Sequence, residues 1–327
     1  MHLARFRDEL DIHFALESSL SAMAPSQNEP LMESPEFWFS DGSIVIIVEN
    51  TAFRLHKSIL GKHSDVFADL FSVPQPQSDL ELIDGVPVVH LQDNLQDFTD
   101  VLRALYEPFH FDKLTPEADL ATLIQFLSGI LRISTKYNII TLREKCIMVL
   151  RTKFPSSLSA CDRLLSSGYK YVASTIVRAI PLARATNVPE ILPWAFYIST
   201  NIAHDALLDD GVLSWHDKAL CLAGKNQLWE MQKSVTHKFM FEFSRAPTCA
   251  LCRIPPSMAM TWQRAEELRG SPHPLMHFDG WDSLQLCVRC LDHVKTQYQK
   301  GREKVWKALP IMFRLGSWEE IHQEQNR

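Results

Sequence analysis

The chain has 327 residues, which is enough for two domains with separate hydrophobic cores. Hydrophobic residues make up 46% and the net charge is -6, so the composition predicts a folded protein and argues against one that mainly covers nucleic acid. No apolar run of about 20 residues and no signal-peptide core occurs, so we expect no membrane partner and an intracellular protein, in nucleus or cytoplasm, with reduced cysteines.

The composition of the first 35 residues indicates a flexible leader ahead of the first folded domain. Residues 3–16 carry apolar side chains at helical spacing and fit either a short amphipathic helix or a disordered leader. Residues 18–35 are rich in Ser and Pro and have little periodicity, which is typical of a linker. We therefore predict a flexible leader at residues 1–35 and the start of the first folded domain at Glu36.

Residues 36–152 carry strand and helix signals in blocks, which predicts an α+β domain. The β-branched run at residues 44–48 predicts a strand buried on both faces, and it forms a hairpin with the alternating residues 52–55. A third strand is predicted at Val86–Leu91. Helices are predicted after Ser64, at residues 95–106, and over residues 119–150 with an interruption near Tyr137-Asn138.

The motifs of this domain occur in an order that resembles the BTB/POZ signature. Asp41 and the apolar strand precede the pattern Phe53-x-Leu55-His56-Lys57-x-x-Leu60-x-x-x-Ser64-x-x-Phe67-x-x-Leu70-Phe71. Two later patterns also match, namely Phe98-x-x-Val101-Leu102-x-x-Leu105-Tyr106 and Tyr137-x-x-x-x-Leu142-x-x-x-Cys146-x-x-x-Leu150. The resemblance covers about a third of the chain, and the whole arrangement is similar to the BTB proteins that fungi carry in large numbers.

This resemblance implies a short three-stranded sheet with helices, and a protein that binds other proteins and forms a homodimer through the BTB-like domain. Asp41, His56 and Lys57 then form a structural pocket, because the matching acid and basic residue of the family do so. The residues themselves favour the same interpretation: Lys57 can pair with Asp41, and His56 can bond local backbone groups where a strand becomes a helix. We predict no catalytic residue in this stretch.

The remainder of the chain is predicted to be mainly α-helical. Residues 153–245 form a helical domain, with helices at residues 164–186, 189–203, 215–223 and 226–243 separated by Pro, Gly and acidic residues. Residues 246–327 form a further helical segment that contains a four-cysteine element.

The strongest chemical signal is a pair of Cys-x-x-Cys motifs, formed by Cys249 with Cys252 and by Cys287 with Cys290. Two such motifs place four thiolates where one tetrahedral ion can bind all of them, which predicts a structural zinc site. The 34 residues between the motifs exceed the usual zinc-ribbon spacing, and a helix near residues 257–268 would bring the chain back.

Two alternatives for these cysteines stay open, namely unrelated surface thiols and a redox-active dithiol. A thioredoxin-type Cys-x-x-Cys opens a helix after a strand in an α/β domain, and the sequence lacks that setting. His273, His277 and His293 are spare candidates for a ligand position. A site closed by four thiolates keeps no open coordination position, so it would fold the region rather than catalyse.

The predicted function is a non-enzymatic protein–protein interaction protein, a scaffold or an adaptor. One alternative is a transcription-related regulator that contacts nucleic acid through the four-cysteine region and the basic run of Lys295, Lys300, Arg302, Lys304 and Lys307. The other alternative is a substrate adaptor of a cullin-type ubiquitin ligase. Cullin-binding BTB proteins commonly carry an apolar-x-Glu motif after the second helix, whereas this chain has Phe71-Ser72-Val73-Pro74 there.

Overall fold

The structure is a computed structural model that describes residues 30–73, 81–115, 118–253 and 261–325. The chain divides into two compact units. The first unit comprises residues up to Lys62 together with Phe67–Phe98, and the second comprises His63–Val66 and Thr99–Arg327. The predicted amphipathic helix at residues 3–16 lies outside the described residues.

The first unit contains a five-stranded sheet. Its strands are β1 (Met32–Trp38), β2 (Ile44–Val48), β3 (Thr51–Leu55), β4 (Leu82–Ile83) and β5 (Val86–Leu91). Their order across the sheet is β1-β3-β2-β5-β4. The central strand β2 pairs antiparallel with β3 and parallel with β5, so that Ile46 lies between Phe53 and Val89.

The central strand is buried along its whole length, as its apolar sequence predicts. The β2–β3 hairpin turns at Glu49, which adopts the left-handed backbone conformation with a φ of 52°. The Glu49 carboxylate then accepts a hydrogen bond of 3.1 Å from the backbone N–H of Leu95. The turn therefore fixes the start of the next long helix to the end of the hairpin.

The three predicted strands are confirmed, and the sheet has two strands that the sequence did not predict. Strand β1 begins at Met32, inside the segment that was predicted as a leader, and its sequence MESPEFW contains Pro35 and three polar residues. Strand β4 has only two residues. Neither has the apolar alternation that marks a strand, because both lie at the edges of the sheet.

Helices make up most of the remaining structure. They are α1 (Lys57–His63), α2 (Asp65–Ser72), α3 (Leu95–Tyr106), α4 (Leu120–Lys136), α5 (Ile140–Leu150), α6 (Leu158–Ser166), α7 (Ala173–Ala185), α8 (Leu192–Ser199), α9 (His204–Asp209), α10 (Trp215–Met231), α11 (Lys238–Phe241), α12 (Trp262–Gly270), α13 (Val288–Met312) and α14 (Trp318–Gln325). The predicted α+β class, with a small sheet and helices followed by a helical remainder, is confirmed. Within the described residues, no helix is both long enough and apolar enough to cross a membrane.

Two of the predicted helix boundaries in the second unit are wrong. The predicted helix at residues 164–186 is two helices, α6 and α7, because the chain turns at Gly168, whose φ is +70°. The predicted break at Gly224 is absent, and α10 continues to Met231. Gly224 serves close packing instead, since a Cβ there would lie 2.1 Å from Cε1 of Phe313.

Aromatic side chains form much of the helical core. The Trp194 ring is fully buried and stacks on Tyr197 with ring centroids 4.9 Å apart. Its indole N–H donates a hydrogen bond of 2.7 Å to the Tyr171 hydroxyl, so this buried donor has an acceptor. Trp318 likewise stacks on Trp306 and donates to the Trp306 carbonyl at 2.8 Å.

Candidate functional site

The four cysteines of the two Cys-x-x-Cys motifs come together in the second unit. Cys249 and Cys252 lie in the loop after α11, where the Cys249 N–H donates to the Ala246 carbonyl. Cys287 is the N-cap residue of α13, and Cys290 lies in the first turn of that helix. The helix N-terminus carries a partial positive charge, which favours thiolates at this place.

The sulfur atoms have the spacing of a single tetrahedral centre. All four Sγ atoms lie within 4.8 Å of one another, and those of Cys249 and Cys287 are 3.8 Å apart. The bond between two disulfide sulfurs is about 2.05 Å, so these thiols are free. Zinc–sulfur bonds of about 2.3 Å in a tetrahedron separate neighbouring sulfurs by about 3.8 Å, which matches the distance between Cys249 and Cys287.

Backbone amides point at the sulfur atoms. The Cys287 N–H donates to Sγ of Cys252 at 3.3 Å, and the Ala246 N–H donates to Sγ of Cys290 at 3.4 Å. The backbone N–H groups of Cys252 and Leu251 lower the pKa of the Cys249 thiol to about 6. Burial raises the pKa of the Cys290 thiol to about 12. Such amide donors stabilise thiolates, and a bound cation would do the same for the buried sulfur.

The three spare histidines do not join the cysteine cluster. His273 Nδ1 lies 3.4 Å from the Asn201 amide nitrogen, and His277 Nε2 lies 3.4 Å from a carboxylate oxygen of Asp162. His293 Nε2 lies 3.0 Å from the Gln297 amide nitrogen. The set of ligand atoms that the described residues bring together is therefore four sulfurs, a soft set that suits zinc.

A buried histidine, His237, is the main residue that the sequence analysis missed in this region. Its ring packs against Phe239, Phe278 and Tyr298, and its Nδ1 lies 2.9 Å from the Thr236 hydroxyl. Burial lowers the pKa of His237 to about 4, so the imidazole is neutral at pH 7. No signal of this burial is present in the sequence, because Phe278 and Tyr298 are distant from His237 along the chain.

The structure brings Asp41 and His56 together, and Lys57 lies elsewhere. His56 Nε2 is 3.2 Å from Oδ1 of Asp41, and the hydrogen bond from His56 holds the pKa of Asp41 below its ordinary value. The Lys57 ammonium lies 5.8 Å from the centre of the Phe71 ring, and its backbone N–H donates to the Ser43 hydroxyl at 3.0 Å. The contact with Asp41 that was predicted for Lys57 is thus made by His56 instead.

The reason for this exchange is local. His56 is the one residue between β3 and α1, and Lys57 is the first residue of α1, so the two side chains leave the backbone in different directions where the strand becomes a helix. Only one of them can reach the turn that contains Asp41. The Asp41 side chain is 81% exposed, so the pair lies at the surface and gains little from its charge.

The basic run on α13 is not one uniform surface. Arg302 is buried, and its guanidinium binds the Asp162 carboxylate and the Leu275 carbonyl. Lys295 lies 5.7 Å from the centre of the Trp281 ring. Lys300, Lys304 and Lys307 remain on an open surface that they share with Glu303. The buried arginine fixes α13 to α6 and is not available to a phosphate backbone.

Comparison with known families identifies the N-terminal part of the chain. The family described as BTB/POZ domain matches residues 38–154. The chain contains a BTB/POZ domain. The match spans the β2–β3 hairpin, β5 and the helices through α5, which are the elements that carry the sequence motifs. No curated protein matches the chain. BTB/POZ domains mediate protein–protein interaction and often dimerise, so the domain supports an interaction role for this chain.

Proposed function

We propose that this chain is a non-enzymatic scaffold or adaptor. It self-associates through its BTB/POZ domain and presents a second surface on a helical region that is held by structural zinc. The observation that carries the proposal is the BTB/POZ domain at residues 38–154. We assign a homodimer to this domain, because two-fold dimers are the commonest assemblies of identical chains and need only one patch, used by both copies.

The edge of the sheet supports self-association. Strand β1 is at the end of the strand order, and among the described residues only β3 pairs with it. Its first residue, Met32, is 61% exposed, and the preceding Leu31 is also exposed. An edge strand with exposed apolar residues is a template for a further chain, and a second copy would cover both features.

Light scattering on the purified chain tests the dimer. We expect twice the chain mass of 37.5 kDa, and a shift towards the single mass in Met32→Lys. Val172→Lys is the matched control, because Val172 is 62% exposed and lies in the other unit. A wild-type chain that stays monomeric at about 100 μM would overturn the dimer.

A pull-down with a cullin at micromolar concentration distinguishes a ubiquitin-ligase adaptor from a scaffold. Binding of the cullin would support the adaptor, and absence of binding would leave the scaffold.

The zinc part of the proposal rests on the four sulfur atoms. Their mutual distances, the amide donors and the free thiols together fit one Zn²⁺ bound by Cys249, Cys252, Cys287 and Cys290. A closed site of this kind supplies folding energy and no catalysis. The bound metal would join the loop after α11 to the start of α13.

Elemental analysis tests this site directly. We expect one zinc per chain in the wild type and none in Cys249→Ser. Cys221→Ala is the matched control, because Cys221 is a buried thiol outside the cluster and its loss should leave the zinc content unchanged. A wild-type protein without zinc after purification in zinc-supplemented medium would overturn the metal site while leaving the dimer untouched.

The non-enzymatic part is supported by the exposure of the one histidine–acid pair in the predicted pocket. An exposed carboxylate gives neither the desolvation nor the fixed geometry that a general base needs. A hydrolase screen tests this point. Turnover that disappears in His56→Ala and persists in His63→Ala would overturn it.

A further inference from the structure

A row of basic side chains on α13 has no role in the zinc site or in the dimer. Lys300, Lys304, Lys307 and Ile311 follow one another at intervals of four, three and four residues. At about 3.6 residues per turn these positions lie within about 60° around the helix, so their side chains form one row. We call this row the basic face.

The basic face is one continuous surface. Its side chains line a shallow depression, which they share with Glu303 and Ala308. The three lysines are exposed, and Ile311 is 62% exposed. The opposite side of α13 is buried through residues such as Val305 and Trp306. The helix is thus held by one side and presents the basic face to solvent.

The positive charge of the basic face is not neutralised within the described part of the chain. None of its three lysines forms an ion pair or a hydrogen bond with a described residue. Three ammonium groups face the single carboxylate of Glu303, in a chain whose net charge is -6. Arg302, from the same basic run, is by contrast bound by Asp162. An acid that pairs with the basic face therefore comes from another molecule.

The composition of the depression favours an acidic protein segment over nucleic acid. A nucleic acid carries a charge at every phosphate, whereas a protein segment can place an uncharged residue opposite Glu303. Among the described residues no aromatic side chain lines the depression, so bases have no ring on which to stack. Ile311 provides an apolar contact at the end of the row, which suits an apolar side chain of a protein segment.

We propose that the basic face docks an acidic segment of a partner protein, with carboxylates against the three lysines and an apolar side chain against Ile311. Carboxylates at intervals of four and three residues on a partner helix match the row. Opposite charges speed the association, and the apolar contact adds binding energy that salt does not screen. The basic face is then the second surface of the proposed scaffold, so its role rests on that proposal.

Fluorescence anisotropy with a labelled synthetic peptide tests the docking. The probe is a helical peptide of about 20 residues in which three glutamates recur at intervals of four and three residues and a leucine follows four residues later. We expect the full chain to bind it with a dissociation constant below about 100 μM at low salt, rising as salt is added. The same peptide with glutamine in place of glutamate should not bind at that concentration.

Two variants of the chain test the two kinds of contact. Lys304→Glu should weaken binding of the peptide about fivefold or more, because it replaces an attraction with a repulsion. Ile311→Ser should also weaken it about fivefold, by a factor that does not depend on salt. Both residues are exposed, so both variants should fold. Lys170→Glu is the matched control, since it reverses an exposed lysine of the second unit outside the depression and should leave binding unchanged.

Four outcomes would overturn the proposal. The first two are absence of binding at about 1 mM and equal affinity of the wild type and Lys304→Glu. Tighter binding of a single-stranded oligonucleotide of about 20 nucleotides would assign the basic face to nucleic acid. Assembly beyond the dimer that is lost in Lys304→Glu would assign it to a second copy of the chain. A monomeric wild type that still binds the peptide would contradict the proposed dimer and leave the docking intact.

Discussion

The central strand of the sheet and the cysteine loop are held in opposite ways. All five residues of Ile44–Val48 are buried apolar side chains, and the strand pairs with a neighbour on each side. In the loop at residues 244–253, Ala246 is the one buried residue, and Leu251 is exposed. The strand is determined by burial, whereas the loop lacks the apolar surface to hold itself.

The energies differ accordingly. Burying a Val or Ile side chain contributes about 1.5–3 kcal/mol, so five of them give the strand a strong preference for its place in the sheet. The cysteine loop has no comparable set of buried side chains. In the proposal above its position depends on the four sulfurs and one metal ion, whose apparent binding energy is about 10–16 kcal/mol in small zinc domains.

The largest effect should follow from a change at the cysteine cluster. In Cys249→Ser we expect loss of the metal and of the order of the loop, because three remaining thiolates cannot close the tetrahedral site. Hydrogen exchange at residues 244–253 should rise to the rate of an unfolded peptide, while the amides of β2 keep their protection. Unchanged exchange in the loop would show that burial or hydrogen bonding, and not metal, holds it.

The converse change should affect the sheet alone. Ile46 is fully buried at the centre of β2, and Ile46→Ala should lower the free energy of unfolding by about 4 kcal/mol through lost burial and a cavity. The zinc content should stay at the wild-type level. Chemical denaturation followed by circular dichroism measures the first quantity and elemental analysis the second. Loss of zinc in this variant would contradict the contrast between the two regions.

A third test uses the buried His237 beside the aromatic residues that pack on α13. The unfolded chain binds a proton at this histidine below about pH 6.5, whereas the folded pKa is about 4, so stability should fall as the pH drops from about 7 to 4. The full loss is about 3 kcal/mol. Tyr298, which faces the same ring, stays neutral in this range because burial raises its pKa to about 12.

His237→Gln isolates this effect, because glutamine can keep the hydrogen bond with the Thr236 hydroxyl and does not titrate. Protonation of the cysteines also lowers stability in acid, and it acts on the wild type and the variant alike. The free energy of unfolding of the wild type should therefore fall relative to that of the variant as the pH drops from about 7 to 4. Parallel curves over the whole range would mean that His237 is not neutral and buried in the folded protein.

The sequence predicted the fold where apolar periodicity is strong. The strand IVIIV, the hairpin after it and the break between α4 and α5 all follow from residue types that act over a few positions. It missed β1 and β4 because edge strands are defined by pairing rather than by burial. It placed a break at Gly224, where the glycine instead makes room for a ring almost 90 positions later in the chain.

The same division applies to the sites. The spacing of the cysteines was enough to group four sulfurs, because metal ligands of one type come in recognisable motifs. The acid partner of His56 was missed, because residue order alone does not tell which of two adjacent side chains turns towards Asp41.

The smallest effect should come from the charged groups at the surface of the sheet unit, and it sharpens the contrast between burial and charge. Lys57 makes a contact at 5.8 Å with the Phe71 ring and no ion pair in the described part of the chain, so Lys57→Ala should lower the free energy of unfolding by less than about 1 kcal/mol. Asp41→Asn, which removes the exposed partner of His56, is the matched control. A loss in Lys57→Ala as large as that in Ile46→Ala, with Asp41→Asn unaffected, would mean that Lys57 lies in an assembly interface. Light scattering at several concentrations would then show whether the dimer had dissociated.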